Sequence, residues 1–289
     1  MLATSGVEGI TMQTRFNPVA RGVVLAFCML LAACAQQGAA VSPLIIGESL
    51  VFDSVVLGEQ RRLNVYLPEG YDRSDDKTYP VIYVLDGSMD EDFIHVAGVA
   101  QFGAFSWVSM LPESIVVGIA NVDRQRDFTS PSDDPVDRQE LPTSGGSARF
   151  IESLRTEMQP LIERSYRTSA PRTIVGQSLG GLLATEILLE HNALFDNYVI
   201  VSPSLWWSKG AGLETEFVEP TSSLNVFVGV GKEGEVMETV AKQLYEKLAA
   251  IPSANLQVSY EFFPELDHGD TLHLAVYAAF EAVFSVEGE

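Results

Sequence analysis

Residues 172–181 read Arg-Thr-Ile-Val-Gly-Gln-Ser-Leu-Gly-Gly, and they restrict the chain more than any other stretch. A short β-branched run, residues 173–175, enters Gly176-Gln-Ser-Leu-Gly180, and a helix-compatible segment follows over 182–189. Gly-x-Ser-x-Gly carries meaning when it sits between a strand and a helix. A serine on so sharp a turn has strained backbone angles. Side chains two residues before or after it would collide with neighbouring backbone, so glycine is favoured there. A helix starting at Leu179 points free amides toward developing negative charge. The pattern predicts a nucleophilic Ser178 rather than a structural glycine turn.

Around this turn the chain alternates strand and helix. Residues 49–56 and 61–67 flank Leu57-Gly-Glu-Gln60 and read as an antiparallel hairpin. Continuous apolar runs at 81–85, 114–120, 198–201 and 224–230 read as strands buried on both faces. Residues 256–263 form a last strand. Residues 93–108 are apolar and helix-compatible, helical spacing marks 147–164 with Pro160 bending its last turn, and 235–249 and 272–284 read as further helices. Residues 121–146 are polar, contain Pro131, Pro135 and Pro142, and read as a long surface loop. The expectation is an α/β domain over 46–289, a mostly parallel sheet opened by an antiparallel hairpin with helices on both faces.

A serine nucleophile needs a base, and the base needs an acid to orient it. The chain has four histidines. His191 and His273 fall on helices and read as surface or packing residues. His95 follows the Asp86-Gly87 turn and could line a pocket. His268 lies in Pro264-Glu-Leu-Asp-His-Gly-Asp270, directly after the last strand, where an α/β-hydrolase carries its histidine. For the acid, Glu233 in the turn Val230-Gly-Lys-Glu-Gly-Glu235 is preferred; Glu235, Asp267 and Asp270 are the alternatives. The oxyanion hole needs two backbone amides. Leu179 should supply one and the Asp86-Gly87-Ser88-Met89 turn the other, with Ser88 favoured over Met89. Asp86, Asp90, Glu91 and Asp92 lack calcium-loop spacing and read as a solvated acidic loop. No metal or cofactor is expected.

Both cysteines, Cys28 and Cys34, precede the body, which excludes disulfides, zinc–thiolate sites and a cysteine nucleophile there. The formal charge is −21; residues 1–33 carry Glu8, Arg15 and Arg21, a net of +1, so the remainder stands at −22. Such a surface repels nucleic acid and polyanionic substrates, and no partner is inferred from it. Arg15 and Arg21 precede an apolar run of 11 residues, 23–33, too short to span a bilayer but fit for a secretory signal. Leu31-Ala-Ala-Cys34 resembles a bacterial lipobox, which implies a signal peptide over 1–34, a lipid anchor on Cys34 and a tether over 35–45. The implied location is the bacterial cell envelope, with membrane contact through that anchor alone. Ordinary cleavage beside the small residues is the alternative.

Several phrases extend the pattern through the body. They include Leu57-Gly-Glu-Gln-Arg-Arg-Leu-Asn-Val-Tyr-Leu-Pro68, Tyr79-Pro-Val-Ile-Tyr-Val-Leu-Asp-Gly87 and Val117-Gly-Ile-Ala-Asn121. Arg124-Gln-Arg-Asp-Phe-Thr129, Tyr166-Arg-Thr168 and Ser202-Pro-Ser-Leu-Trp-Trp207 continue the series. With the 176–181 turn, they resemble the esterase family of α/β-hydrolases that includes the trilactone siderophore esterases. The resemblance implies the α/β-hydrolase fold, ester cleavage through an acyl-enzyme, and Ser178 with His268 as the working pair. Some relatives use a serine–histidine dyad, which leaves the weight of Glu233 open. Gln177 stands where the family usually has histidine. Arg124 and Arg126 invite a substrate-anion reading, although a buried ion pair with Asp127 is preferred. Trp206 and Trp207 could stack on an aromatic substrate or serve as pocket wall. An acyltransferase of the same fold and a catalytically silent envelope binding protein are the rival functions.

Overall fold

A computed structural model describes residues 41–71 and 76–284. Residues 41–45 are exposed and carry no regular structure, and the chain from Ile46 forms one compact unit. The expected signal peptide, Cys34 and most of the tether lie outside the described residues.

Eight strands form one sheet: β1 (Gly47–Ser54), β2 (Glu59–Tyr66), β3 (Tyr79–Val84), β4 (Ile115–Ile119), β5 (Thr168–Gln177), β6 (Asn197–Val201), β7 (Leu224–Gly231) and β8 (Leu256–Phe263). Their order is β1-β2-β4-β3-β5-β6-β7-β8. The β1–β2 hairpin and the β2–β4 pair are antiparallel; every other neighbour is parallel. The uninterrupted apolar strands β3, β4 and β6 are buried along their whole length, as parallel strands covered on both faces must be.

The helices are α1 (Phe93–Gly103), α2 (Arg124–Phe128), α3 (Pro135–Glu140), α4 (Ser147–Ser153), α5 (Gln159–Ser165), α6 (Leu179–Glu190), α7 (Ala211–Glu214), α8 (Glu235–Ala249) and α9 (Thr271–Phe284). One core gathers α4, α5, α6 and α8 against the sheet, through residues such as Phe150, Ile162, Leu183 and Leu244. The other gathers α1 and α9, through Phe93, Val96, Val276 and Phe280. Helices on both faces leave the carboxyl ends of the parallel strands open as a shared edge, where such sheets carry their sites.

Three expectations are corrected. The segment over 93–108 is helical only to Gly103. Beyond it the chain folds back, with the Met110 amide on the Gly103 carbonyl at 2.9 Å. The polar loop 121–146 contains α2 and α3, each begun by an aspartate. Asp123 accepts from the Arg126 amide and Asp134 from the Val136 amide, with Pro135 in the first turn. The helix over 147–164 is interrupted by a π turn, Leu154–Met158, just ahead of Pro160. Proline has no amide hydrogen and its ring crowds the carbonyl four residues back, so the ladder widens there.

Candidate active site

Ser178 joins β5 to α6 with φ 59° and ψ −120°, the strained geometry expected of a serine lifted above its sheet. Its amide donates to the Val201 carbonyl at 3.1 Å, and its carbonyl accepts from the Leu182 and Ser204 amides. The glycines fit this turn unequally. A Cβ on Gly176 would lie 2.6 Å from the Gly180 carbonyl carbon, and one on Gly181 would lie 2.9 Å from the Val201 oxygen. At Gly180 the nearest atoms are side-chain atoms of Asp86 and Leu85 at 3.4 Å, so the backbone collision expected there is absent.

The β7–α8 turn and the loop after β8 bring Glu233 and His268 together. Glu233 Oε2 and His268 Nδ1 are 2.5 Å apart. The other oxygen, Oε1, accepts from the Gly231 amide at 3.0 Å, from Thr271 Oγ1 at 3.3 Å and from the Ser202 hydroxyl. Burial alone would push the Glu233 carboxyl up, but the bonds from His268, Ser202 and Gly231 outweigh it and hold it below its ordinary value. The hydrogen bond to Glu233 raises the His268 pKa against the opposing effect of burial. A Cβ on Gly231 would stand 2.7 Å from the Leu266 carbonyl oxygen, so the strand end that presents the acid packs too closely for a side chain. Gln177 braces the histidine loop: its Nε2 donates to the His268 carbonyl at 2.6 Å.

Ser178, His268 and Glu233 line one cleft of about 470 Å³, with Ser204, Trp206 and Lys232 on its walls. Ser204 Oγ stands 3.4 Å from Ser178 Oγ, longer than an ordinary O–H···O bond. Nothing in the sequence pattern pointed to Ser204, or to Ser202 and Thr271 as holders of the acid. All three lie in or beside quoted phrases, but their roles depend on which strand ends the fold brings together.

Of the oxyanion-turn amides, that of Ser88 is already taken. It donates to Glu91 Oε2 at 3.1 Å, and the Glu91 amide donates back to the Ser88 carbonyl at 3.1 Å. These two bonds close a Ser88–Glu91 turn just ahead of α1, whose own N-cap is Asp92. With the Ser88 amide bonded to Glu91, the Met89 amide is the other candidate donor on this turn. Within the acidic loop Asp90 and Glu91 are exposed, as expected, but Asp86 is buried and engaged: it accepts from Arg124 Nε at 2.6 Å, Arg124 Nη2 at 2.8 Å and Asn121 Nδ2 at 2.6 Å. Arg124 Nη2 also reaches the Gln177 carbonyl at 3.3 Å, tying the oxyanion turn to the nucleophile's turn.

The remaining candidates separate. Arg126 is held by Glu59 at 2.6 Å and Asp127 at 2.8 Å, in a network completed by the buried Arg61, so it is structural, as the preferred ion-pair reading had it. Trp206 is exposed on the cleft wall, whereas Trp207 is buried and donates to the Ser130 carbonyl at 3.0 Å. His95 pairs with His273 at 3.2 Å between α1 and α9 and lies apart from the cleft. Burial and the neighbouring imidazole hold its pKa down.

Sheet order, elbow and the shared cleft define the α/β-hydrolase fold carrying a serine-hydrolase type of site. The chain belongs to the Putative esterase family, whose match spans residues 54–275. It is similar to the ferri-bacillibactin esterase BesA of Bacillus subtilis, 27% identical over 253 residues, covering 80% of this chain and 87% of that protein. Among solved structures it resembles an IroE-like serine hydrolase from Shewanella oneidensis, with a TM-score of 0.74, 26% identity and coverage of 83% and 82%. The BES protein from Bacillus cereus shares the fold at a TM-score of 0.76 and 24% identity, over 87% of this chain and all of that one (100%). The chain is accordingly an enzyme that hydrolyses ester bonds. These relatives favour neither acyl transfer nor a silent binding role.

Proposed function

We propose that the enzyme opens the ester bonds of a siderophore-type trilactone through an acyl-enzyme on Ser178. The observation that carries the chemistry is the 2.5 Å Glu233–His268 pair in the cleft that holds the strained Ser178. With Nδ1 bonded to Glu233, the imidazole has Nε2 free to take a proton. Ser178 Oγ attacks the ester carbonyl and its proton passes to Nε2. The Leu179 amide and the Met89 amide stabilise the oxyanion. The alcohol then leaves with the proton from Nε2. Water, deprotonated by the same nitrogen, attacks the acyl-enzyme and releases acid and Ser178. The buried Glu233 stays ionised throughout and stabilises the imidazolium.

The similarity to BesA, a ferri-bacillibactin esterase, and the exposed Trp206 on the cleft wall support an aromatic, iron-chelating lactone as substrate. The lipobox-like ending supports export, a lipid anchor on Cys34 and residence in the cell envelope. The test compares a p-nitrophenyl ester chain-length series with a trilactone siderophore in ferric and iron-free forms. Turnover of the trilactone well above every simple ester is expected. Efficient turnover of simple esters with an untouched trilactone contradicts the substrate.

A further inference from the structure

The chain is strongly charged elsewhere, yet residues 93–112 contain no Asp, Glu, Lys or Arg over 20 consecutive positions. The first half of this segment is α1. The second half makes an aromatic knob at the helix's carboxyl end. Phe102 is 47% and Trp107 76% exposed. Phe105 joins them, its ring centroid 4.6 Å from that of Trp107 in a stacked arrangement and 6.1 Å from that of Phe102. Exposed aromatics clustered in a chargeless segment mark an interaction surface rather than scattered surface apolar residues.

The knob's backbone is closed on itself. The Ala104 amide donates to Ala100 at 3.1 Å, and those of Val108 and Ser109 both reach the Phe105 carbonyl at 2.8 Å. The Met110 amide returns to Gly103, and Ser109 Oγ donates to the Ser106 carbonyl at 2.9 Å. A segment that enters an apolar medium must satisfy its amides internally, and this one largely does. Tryptophan and phenylalanine side chains are the ones that settle at a membrane–water interface.

The position fits the same reading. α1 runs back from the carboxyl end of β3, so the knob lies at the end of the sheet opposite the catalytic cleft. The body of the chain begins at that end too: Gly47, the first residue of β1, pairs with Tyr66 at the end of β2, whose neighbour there is Val116 near the start of β4. The net charge of the body excludes attraction to anionic headgroups, which leaves insertion of uncharged side chains.

We infer that the Phe102–Phe105–Trp107 knob docks on the surface of a zwitterionic lipid bilayer, a contact additional to any anchor on Cys34, with the catalytic cleft turned toward water. The test uses the full chain reconstituted with phosphatidylethanolamine–phosphatidylcholine vesicles whose acyl chains carry bromine, a short-range quencher of tryptophan emission. Trp206 and Trp207 sit near the cleft, so emission quenched in the wild type and spared in Trp107→Phe supports docking. Ester hydrolysis by Trp107→Phe should equal that of the wild type, which checks folding. Vesicle-bound protein whose emission is not quenched, or is quenched equally in both chains, overturns the inference. So does a dimer in sedimentation without lipid that Trp107→Asp dissociates, since a second copy would then cover the knob. Quenching that requires added phosphatidylglycerol overturns it as well, because a charge-driven contact is a different one.

Discussion

Glu233 and His268 stand 2.5 Å apart across the carboxyl edge of the sheet, the carboxylate side chain 1% exposed and the imidazole 47%. The buried member is the one that must stay charged, and it does so chiefly through the hydrogen bonds from His268, Ser202 and the Gly231 amide. The half-exposed member is the one that must exchange protons with substrate.

This pairing sets the pH profile. His268 acts as a base only when neutral, and its pKa is raised above 6.5 by the bond to Glu233. The acid limb of kcat/KM should therefore fall above pH 6.5, with activity lost as pH drops through it. In Glu233→Gln the raising partner is gone, so the limb should move down. A limb that stays in place when Glu233 is replaced contradicts the pairing.

Glu233→Gln should also lower kcat by on the order of a thousandfold, because a neutral amide neither fixes the imidazole tautomer nor stabilises imidazolium. KM should change little. Near-normal kcat in this variant would instead support a serine–histidine dyad.

Ser202 and Thr271 touch no reacting atom; they hold Glu233. Losing one hydrogen bond to a carboxylate is worth roughly a factor of ten. Ser202→Ala is expected to lower kcat by about that much with KM nearly unchanged. An unaltered pH limb and kcat would remove Ser202 from the account.

Arg124 links Asp86 on the oxyanion turn to the Gln177 carbonyl on the elbow, with a planar fork that lysine cannot reproduce. Arg124→Lys should lower kcat by about ten- to a hundredfold at similar KM, the signature of misplaced oxyanion donors. A raised KM with normal kcat would show that Arg124 binds substrate.

Gly176→Ala should cost about 1–3 kcal/mol in unfolding free energy, since the new methyl would press on the Gly180 backbone. Denaturant melts of this variant and of Gly180→Ala, where the neighbours are side chains at 3.4 Å, should differ in that order.

What the sequence disclosed depended on how local the signal is. β3, β4 and β6 are legible because strands buried on both faces must be continuous apolar runs. The elbow is legible because Gly176 and Ser178 express a backbone requirement in adjacent letters. That Glu233 and His268 come together follows from chain order, each standing just after a strand end. The π turn ahead of Pro160 was not legible, because a proline's effect on a ladder can be a bend, a break or a widening. The bond from the Ser88 amide to Glu91 was not legible either, because an acid three residues on from an amide reads equally well as a loop acid. The aromatic knob was hidden inside a helical pattern, since periodicity does not say where a helix ends. The Ser202–Glu233–Thr271 cluster joins three strand-end loops and exists only once the sheet order is set.

Covalent labelling by a fluorophosphonate followed by peptide mapping tests the role of Ser178 most directly. The expected result is a single adduct on Ser178 in the wild type, with neither labelling nor ester hydrolysis in Ser178→Ala. An adduct on Ser204 or elsewhere, or hydrolysis that survives Ser178→Ala, would contradict the mechanism.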